Sequence, residues 1–139
     1  MLVSAMRRPA LLAILFCAAS AIARADPAAP GPAPAEPPLL EAVFLNDYSS
    51  FEGGYGAAGP YFPAAAAASE LNGDVVIRCT LTVKGRLKSC TLVSEDPDGV
   101  YFGAAAMSLV RDSVITAKPS APLTHDEVVR VHVPFMLDR

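Results

Sequence analysis

Two thiols carry the most chemical meaning in this chain. Cys79 and Cys90 lie in the stretch VVIRCTLTVKGRLKSCTLVS, residues 75–94. Such a pair forms a disulfide, a redox couple or part of a metal site. A metal would need further ligands, and His125 and His132 are the sole histidines. His125-Asp126-Glu127 offers a base and two acids, but no nucleophile or Gly-rich cradle stands near them in sequence. They read as a polar loop. Asp96 and Asp98 are spaced like half of a calcium loop, without the glycine and glutamate that complete one. The chain therefore reads as a non-enzyme with no metal and no cofactor.

A β-hairpin would position the two thiols. Val75, Ile77, Cys79, Leu81 and Val83 repeat with period two, which puts them on one face of a strand. Lys84-Gly85 suits a two-residue turn, since glycine supplies positive φ. Cys90, Leu92 and Ser94 alternate on the return strand. With Val83 opposite Arg86, Cys79 faces Cys90, and opposed side chains on one face come within disulfide reach. This register makes 79:90 a hydrogen-bonded pair, the wider-spaced class. Leu87 is out of phase with Cys90 and Leu92, which predicts a bulge near Lys88-Ser89. The expectation is a Cys79–Cys90 disulfide. Closing so short a loop stabilises by ~2–3 kcal/mol in the chain-entropy picture.

Residues 1–25 read as a secretory signal. Arg7-Arg8 make the positive start, Leu11 to Phe16 the apolar middle, and Ala23-Arg24-Ala25 the cleavage site. The alternative is an uncleaved inner-membrane anchor, although the apolar run from Pro9 to Ala23 falls short of the ~20 residues a spanning helix needs. Phe16 before Cys17 argues against a lipoprotein. Export implies an oxidising compartment, which favours a disulfide over a redox or metal role. Beyond residue 25 the chain holds eight basic and fourteen acidic side chains, a net of −6. That sign argues against nucleic acid as a partner.

Residues 26–38 hold six prolines and four alanines, and read as an extended tether of about 40 Å. Leu39 to Leu45 is either a short helix or a strand packed on the domain, and Ser49 to Pro60 is a Gly-rich loop. Pro63 and the alanines after it open a helix that stops at Asn72-Gly73. The acids of Glu95 to Asp98 sit at the N-terminus of a second helix, Val100 to Asp112, with Phe102, Ala105, Ala106, Leu109 and Val110 on one face. Residues 117–122 form a loop. Val129, Val131, Val133, Phe135 and Leu137 line the inner face of a last strand, with His132 pointing outward. Pro134 in that strand predicts a sheet edge. Tyr48, Tyr55 and Tyr61 either cover a sheet face or form a binding lip. The order is α-β-β-α-β: an α+β domain over residues 61–139, with a three-stranded antiparallel sheet and two helices on one face. Residues 26–60 then make a Pro/Gly-rich tether and loop.

The ordered set of Phe62-Pro63 before alanines, Gly73-Asp74-Val75-Val76-Ile77, Gly85-Arg86-Leu87, a helix, Pro119 and Val133-Pro134-Phe135-Met136-Leu137 resembles the C-terminal domain of TonB. The paired cysteines depart from that family, which usually places plain hydrophobes there. The resemblance implies a periplasmic domain that grips a short peptide, the TonB box of an outer-membrane receptor. The peptide adds as a strand to the edge of the second hairpin strand. Carried over, that edge is Lys88, Ser89, Cys90, Thr91, Leu92 and Val93. Family transducers have a membrane helix bearing a functional histidine, and residues 1–25 hold none. The expected function is an exported protein-binding domain linked to TonB-dependent transport. Its alternatives are a structural or assembly protein of the cell envelope, dimeric through the same edge, and a membrane-anchored short transducer homologue. In a further alternative, Lys88 only protects that edge from aggregation.

Overall fold

The computed structural model describes residues 30–46 and 55–138. The expected signal segment, Tyr48 and the first half of the Gly-rich loop lie outside them. The chain divides into two units, Met1–Pro34 and Ala35–Arg139. Of the first, residues 30–34 are exposed and form no helix or strand.

The second unit is α+β. Its sheet contains β1 (Leu39–Phe44), β2 (Gly73–Leu81), β3 (Leu87–Asp96), β4 (Ile115–Ala117) and β5 (Glu127–Phe135), in the order β3-β2-β5-β1-β4. Three of these strands are the expected antiparallel core: β2 pairs with both β3 and β5. The expected three-stranded antiparallel sheet is corrected by β1 and β4. β1 runs parallel to β5 from Leu39 to Glu41, then pairs antiparallel with β4 from Ala42 to Phe44. Of the two readings of Leu39–Leu45, the strand is the one adopted. Leu40, Ala42 and Phe44 alternate inward, and Leu40 lies beside Val131.

The helical layer consists of 3-10 turns over Gly56–Tyr61, α1 (Ala64–Ala68) and α2 (Phe102–Arg111). Val75, Ile77, Cys79 and Leu81 of β2 and Val129, Val131, Val133 and Phe135 of β5 are buried beneath these elements. Phe62, Phe102 and Phe135 meet at ring separations of 5.2–6.1 Å, the range favoured by tilted and edge-on aromatic pairs. Tyr55 stacks on Phe62 at 5.5 Å, and Tyr61 donates its hydroxyl proton to Asp112 at 2.9 Å. Both therefore cover the helical layer.

Gly73 opens β2 and does not stop α1. A Cβ there would lie 2.4 Å from the Phe102 ring, so glycine is required by close packing. The helix stops at Glu70, which takes φ +52. Leu71 N–H bonds Ala66 O at 2.9 Å and Glu70 N–H bonds Ala67 O at 3.1 Å, the paired closure of a Schellman cap. Ser113, at φ +56, ends α2 by the same pair of bonds, from Val114 and Ser113 to Leu109 and Val110. Neither cap uses the glycine such positions favour.

Pro134 does not mark an edge strand. β5 has β2 along its whole length on one side and β1 on the other at Arg130–His132. The register with β1 ends at His132, so no ladder bond is asked of the proline on that side. Arg130 fixes the chain entering β1. Its backbone N–H bonds Pro38 O at 2.8 Å, its Nε bonds Pro37 O at 3.0 Å, and its guanidinium pairs with Glu36 at 3.0 Å.

Candidate functional site

The hairpin turn is one residue longer than the spacing suggests. Thr82 N–H bonds Arg86 O at 2.8 Å, enclosing Val83, Lys84 and Gly85, with Gly85 at φ +76. This is a three-residue loop closed by a left-handed residue, and Gly85 supplies that conformation without a Cβ clash. Arg86 therefore faces Thr82, not Val83. Leu81 then pairs with Leu87, and Thr80 with Lys88.

Left uncorrected, this register would put Cys79 opposite Ser89. A bulge restores the thiol pairing. Ser89 takes φ +52, the register slips by one between Thr80 and Arg78, and Arg78 pairs with Thr91. Cys90 thereby meets Cys79 in a disulfide with a Cα separation of 4.1 Å. That is the close class of opposed residues, where the unbulged count gave the wide class. The bulge falls at Ser89, within the expected Lys88-Ser89. A second slip makes Val93 the extra residue: Ile77 pairs with Leu92, and Val76 with Ser94.

β3 pairs only with β2, so its outer edge carries no strand among the described residues. Lys88 and Thr91 lie on the sheet face away from the helices, opposite Thr80 and Arg78. Leu92 lies on the helix face, opposite Ile77. The two bulges leave Cys90–Leu92 as the regular run within the expected edge. Leu92 and Val93 are about half exposed, at 46% and 52%.

Four attachments hold β3 in place. The disulfide fixes its middle. Leu92 packs against the first turn of α2, where a Cβ on Gly103 would come within 2.7 Å of it. Glu95 accepts the Gly103 N–H at 2.6 Å and satisfies one of the donors that a helix start leaves free. Near the hairpin, Lys88 pairs with Asp126 at 3.1 Å, and Asp126 also accepts the Val83 N–H at 3.1 Å. The Lys88 contact first, and then the Val83 N–H, hold the Asp126 carboxyl below its ordinary value. The expected polar role of His125-Asp126-Glu127 is thus specific: Asp126 ties the hairpin to the start of β5.

His132 lies on the open sheet face but is not a bystander on an edge. Its Nδ1 lies 2.8 Å from Glu41 of β1 and its Nε2 lies 2.8 Å from Asp74 of β2. Partial burial pulls its pKa down. The hydrogen bonds and charges of the two carboxylates outweigh that and raise it above the ordinary 6.5. The ring cross-links three strands. Among the described residues, no group of three His, Cys, Asp or Glu side chains could hold a metal ion.

Sequence reasoning missed the Val93 bulge, the Arg130 anchor and the His132 bridge. The alternation of Leu40, Ala42 and Phe44 was the available signal for β1. The bulge at Val93 has none, because Leu92-Val93 reads as ordinary strand.

The arrangement is a two-layer α+β domain with a long, backed strand whose outer side carries no other strand among the described residues. A family model described as Gram-negative bacterial TonB protein C-terminal matches residues 58–136, more than half of the chain. The chain belongs to that family, whose domains are periplasmic, bind proteins and are not enzymes. No curated protein aligns significantly with the chain. No helix among the described residues is long and apolar enough to cross a membrane. β1 lies before the matched region, so the edge of β5 within the family domain is occupied by a strand from the chain's own preceding segment.

Proposed function

We propose that this domain captures an extended, TonB-box-like segment of an envelope partner by strand addition along Lys88–Val93, and that the partner is an outer-membrane receptor of TonB-dependent transport. One observation carries this reading. β5 has its second side taken by β1, β4 is three residues long, and among the described residues β3 alone presents a long unpaired side. Unpaired backbone groups supply the attraction in such a mode, and side-chain pockets supply selectivity. Lys88 and the two bulges restrain self-pairing of the edge. They also limit the added ladder to a few bonds. At about 0.5–1.5 kcal/mol each, set against the cost of association, these give weak and reversible binding. That suits a contact that must be made and released.

Backbone amide spectra of the 15N-labelled mature chain test this reading. A titrated TonB-box peptide should shift residues 88–93 and leave residues 129–133 in place. An unchanged 88–93 region at millimolar peptide would remove the proposal. Concentration-dependent shifts without peptide, with a doubled mass by light scattering, would favour the dimer. Intact mass of the exported protein reports cleavage after Ala25.

A further inference from the structure

The lower end of the β3 edge opens into a groove of about 660 Å³. It lies between the hairpin loop, the first residues of β3 and the C-terminal end of α2. Four cationic side chains line it, Lys84, Arg86, Lys88 and Arg111, against the single carboxylate of Asp126. This is a marked local excess in a chain whose region beyond residue 25 is net acidic. Seven Lys or Arg side chains fall among the described residues, and four of them converge here. Lys84, Arg86 and Lys88 alternate within the stretch KGRLK, and the fold adds Arg111 from the end of α2.

Their partners leave much of this charge uncompensated. Lys88 is paired with Asp126, and Arg111 with Asp112 at 3.1 Å. Arg86 donates to the neutral hydroxyl of Ser113 at 3.0 Å, and the Lys84 side chain makes no hydrogen bond or ion pair among the described residues. Arg86 is held in place while its charge stays available. Val83, Leu87 and Val110 give the groove an apolar lining between these charges. Lys88 and Ser89 belong both to the groove and to the strand edge, so the two surfaces are continuous.

We infer that the groove receives an acidic flank of the captured segment: an extended peptide whose backbone joins β3 and whose Asp or Glu side chains, just beyond the paired run, enter among Lys84, Arg86 and Arg111. This inference rests on the strand-addition reading. Backbone pairing along β3 is indifferent to sequence, and the cationic end supplies selection by charge. It also sets the register, because a peptide slid by two residues withdraws its carboxylates from the groove.

The test compares two synthetic peptides with the same central strand, one flanked by two glutamates and one by two glutamines. Both are titrated into the labelled full-length mature chain at low and at high salt. The glutamate peptide should bind about fivefold more tightly at low ionic strength, as expected for two exposed ion pairs, with most of that gain lost at 0.5 M salt where screening is short-ranged. The exposed pair Lys84→Glu and Arg111→Glu should abolish or reverse the preference, and far-UV circular dichroism of this variant checks that it is folded. Equal affinities for the two peptides, with residues 88–93 still shifting, would overturn the groove while leaving strand addition intact. If residues 88–93 never shift but the glutamate peptide moves residues 82–86 and 110–113, the groove stands and strand addition falls. No shift with either peptide overturns both.

Discussion

Reducing the Cys79–Cys90 disulfide isolates the contribution of the cross-link, because no atom heavier than hydrogen is added or removed. The two residues are separated by 11 positions, and Cys79 is buried. For a loop of this size the chain-entropy model gives about 3 kcal/mol at 25 °C. That is a large share of the ~5–15 kcal/mol that holds a typical domain together. With a urea m-value of about 1–1.5 kcal/mol/M, the unfolding midpoint should fall by about 2–3 M on reduction. Urea titrations followed by circular dichroism, with and without a phosphine reductant, measure this. Hydrogen exchange adds a local readout. Amides of Cys90–Leu92 should lose more protection than those of Val129–Val133, since β3 has one neighbour and β5 has two over part of its length. A midpoint shift below ~0.5 M would refute the reasoning, because it would mean that the unfolded chain is already restrained without the bond.

Gly73→Ala should destabilise by about 1–3 kcal/mol through overpacking against Phe102 in the aromatic cluster, measured by denaturation, and a gain in stability would contradict the packing argument. Glu95→Ala removes the acceptor for Gly103 N–H and should cost about 0.5–2 kcal/mol, with faster exchange confined to the first turn of α2. His132 predicts a pH dependence of defined sign. Its folded pKa is raised, so its charged form stabilises the fold fully below its ordinary value of 6.5, and that stabilisation is lost as pH rises through the folded pKa. Thermal melting between pH 6 and pH 9 should therefore show falling stability, and His132→Gln should flatten that slope.

The hairpin, both helices, the inner face of β5 and the disulfide were legible in the sequence because each is written in local periodicity or residue type. Val75 to Leu81 and Val129 to Phe135 alternate cleanly, and alternation reports which side is buried. What the sequence misstated were matters of count and of partner. A three-residue loop in place of two shifts the hairpin by one, and the Ser89 bulge shifts it back, so the correct thiol pairing followed from two compensating offsets. The helix stops at Glu70 and Ser113 escaped notice because a positive φ is imposed there by the chain's route and not by glycine. Pro134 read as an edge because the rule considers the strand alone. Here the neighbour simply ends before the proline.

By itself, then, the order of residues determined the core faces, the α+β class, the thiol bond and the family signature, because each is read from local patterns taken in order along the chain. The tertiary structure alone decided which strand side stays bare. β1 comes from some 90 residues before β5, and its arrival covers one edge and leaves β3 as the open one. The fold likewise brings Arg111 to Lys84, Arg86 and Lys88, which are already close in sequence. Sheet edges are properties of surfaces assembled from distant segments, and no local pattern encodes them.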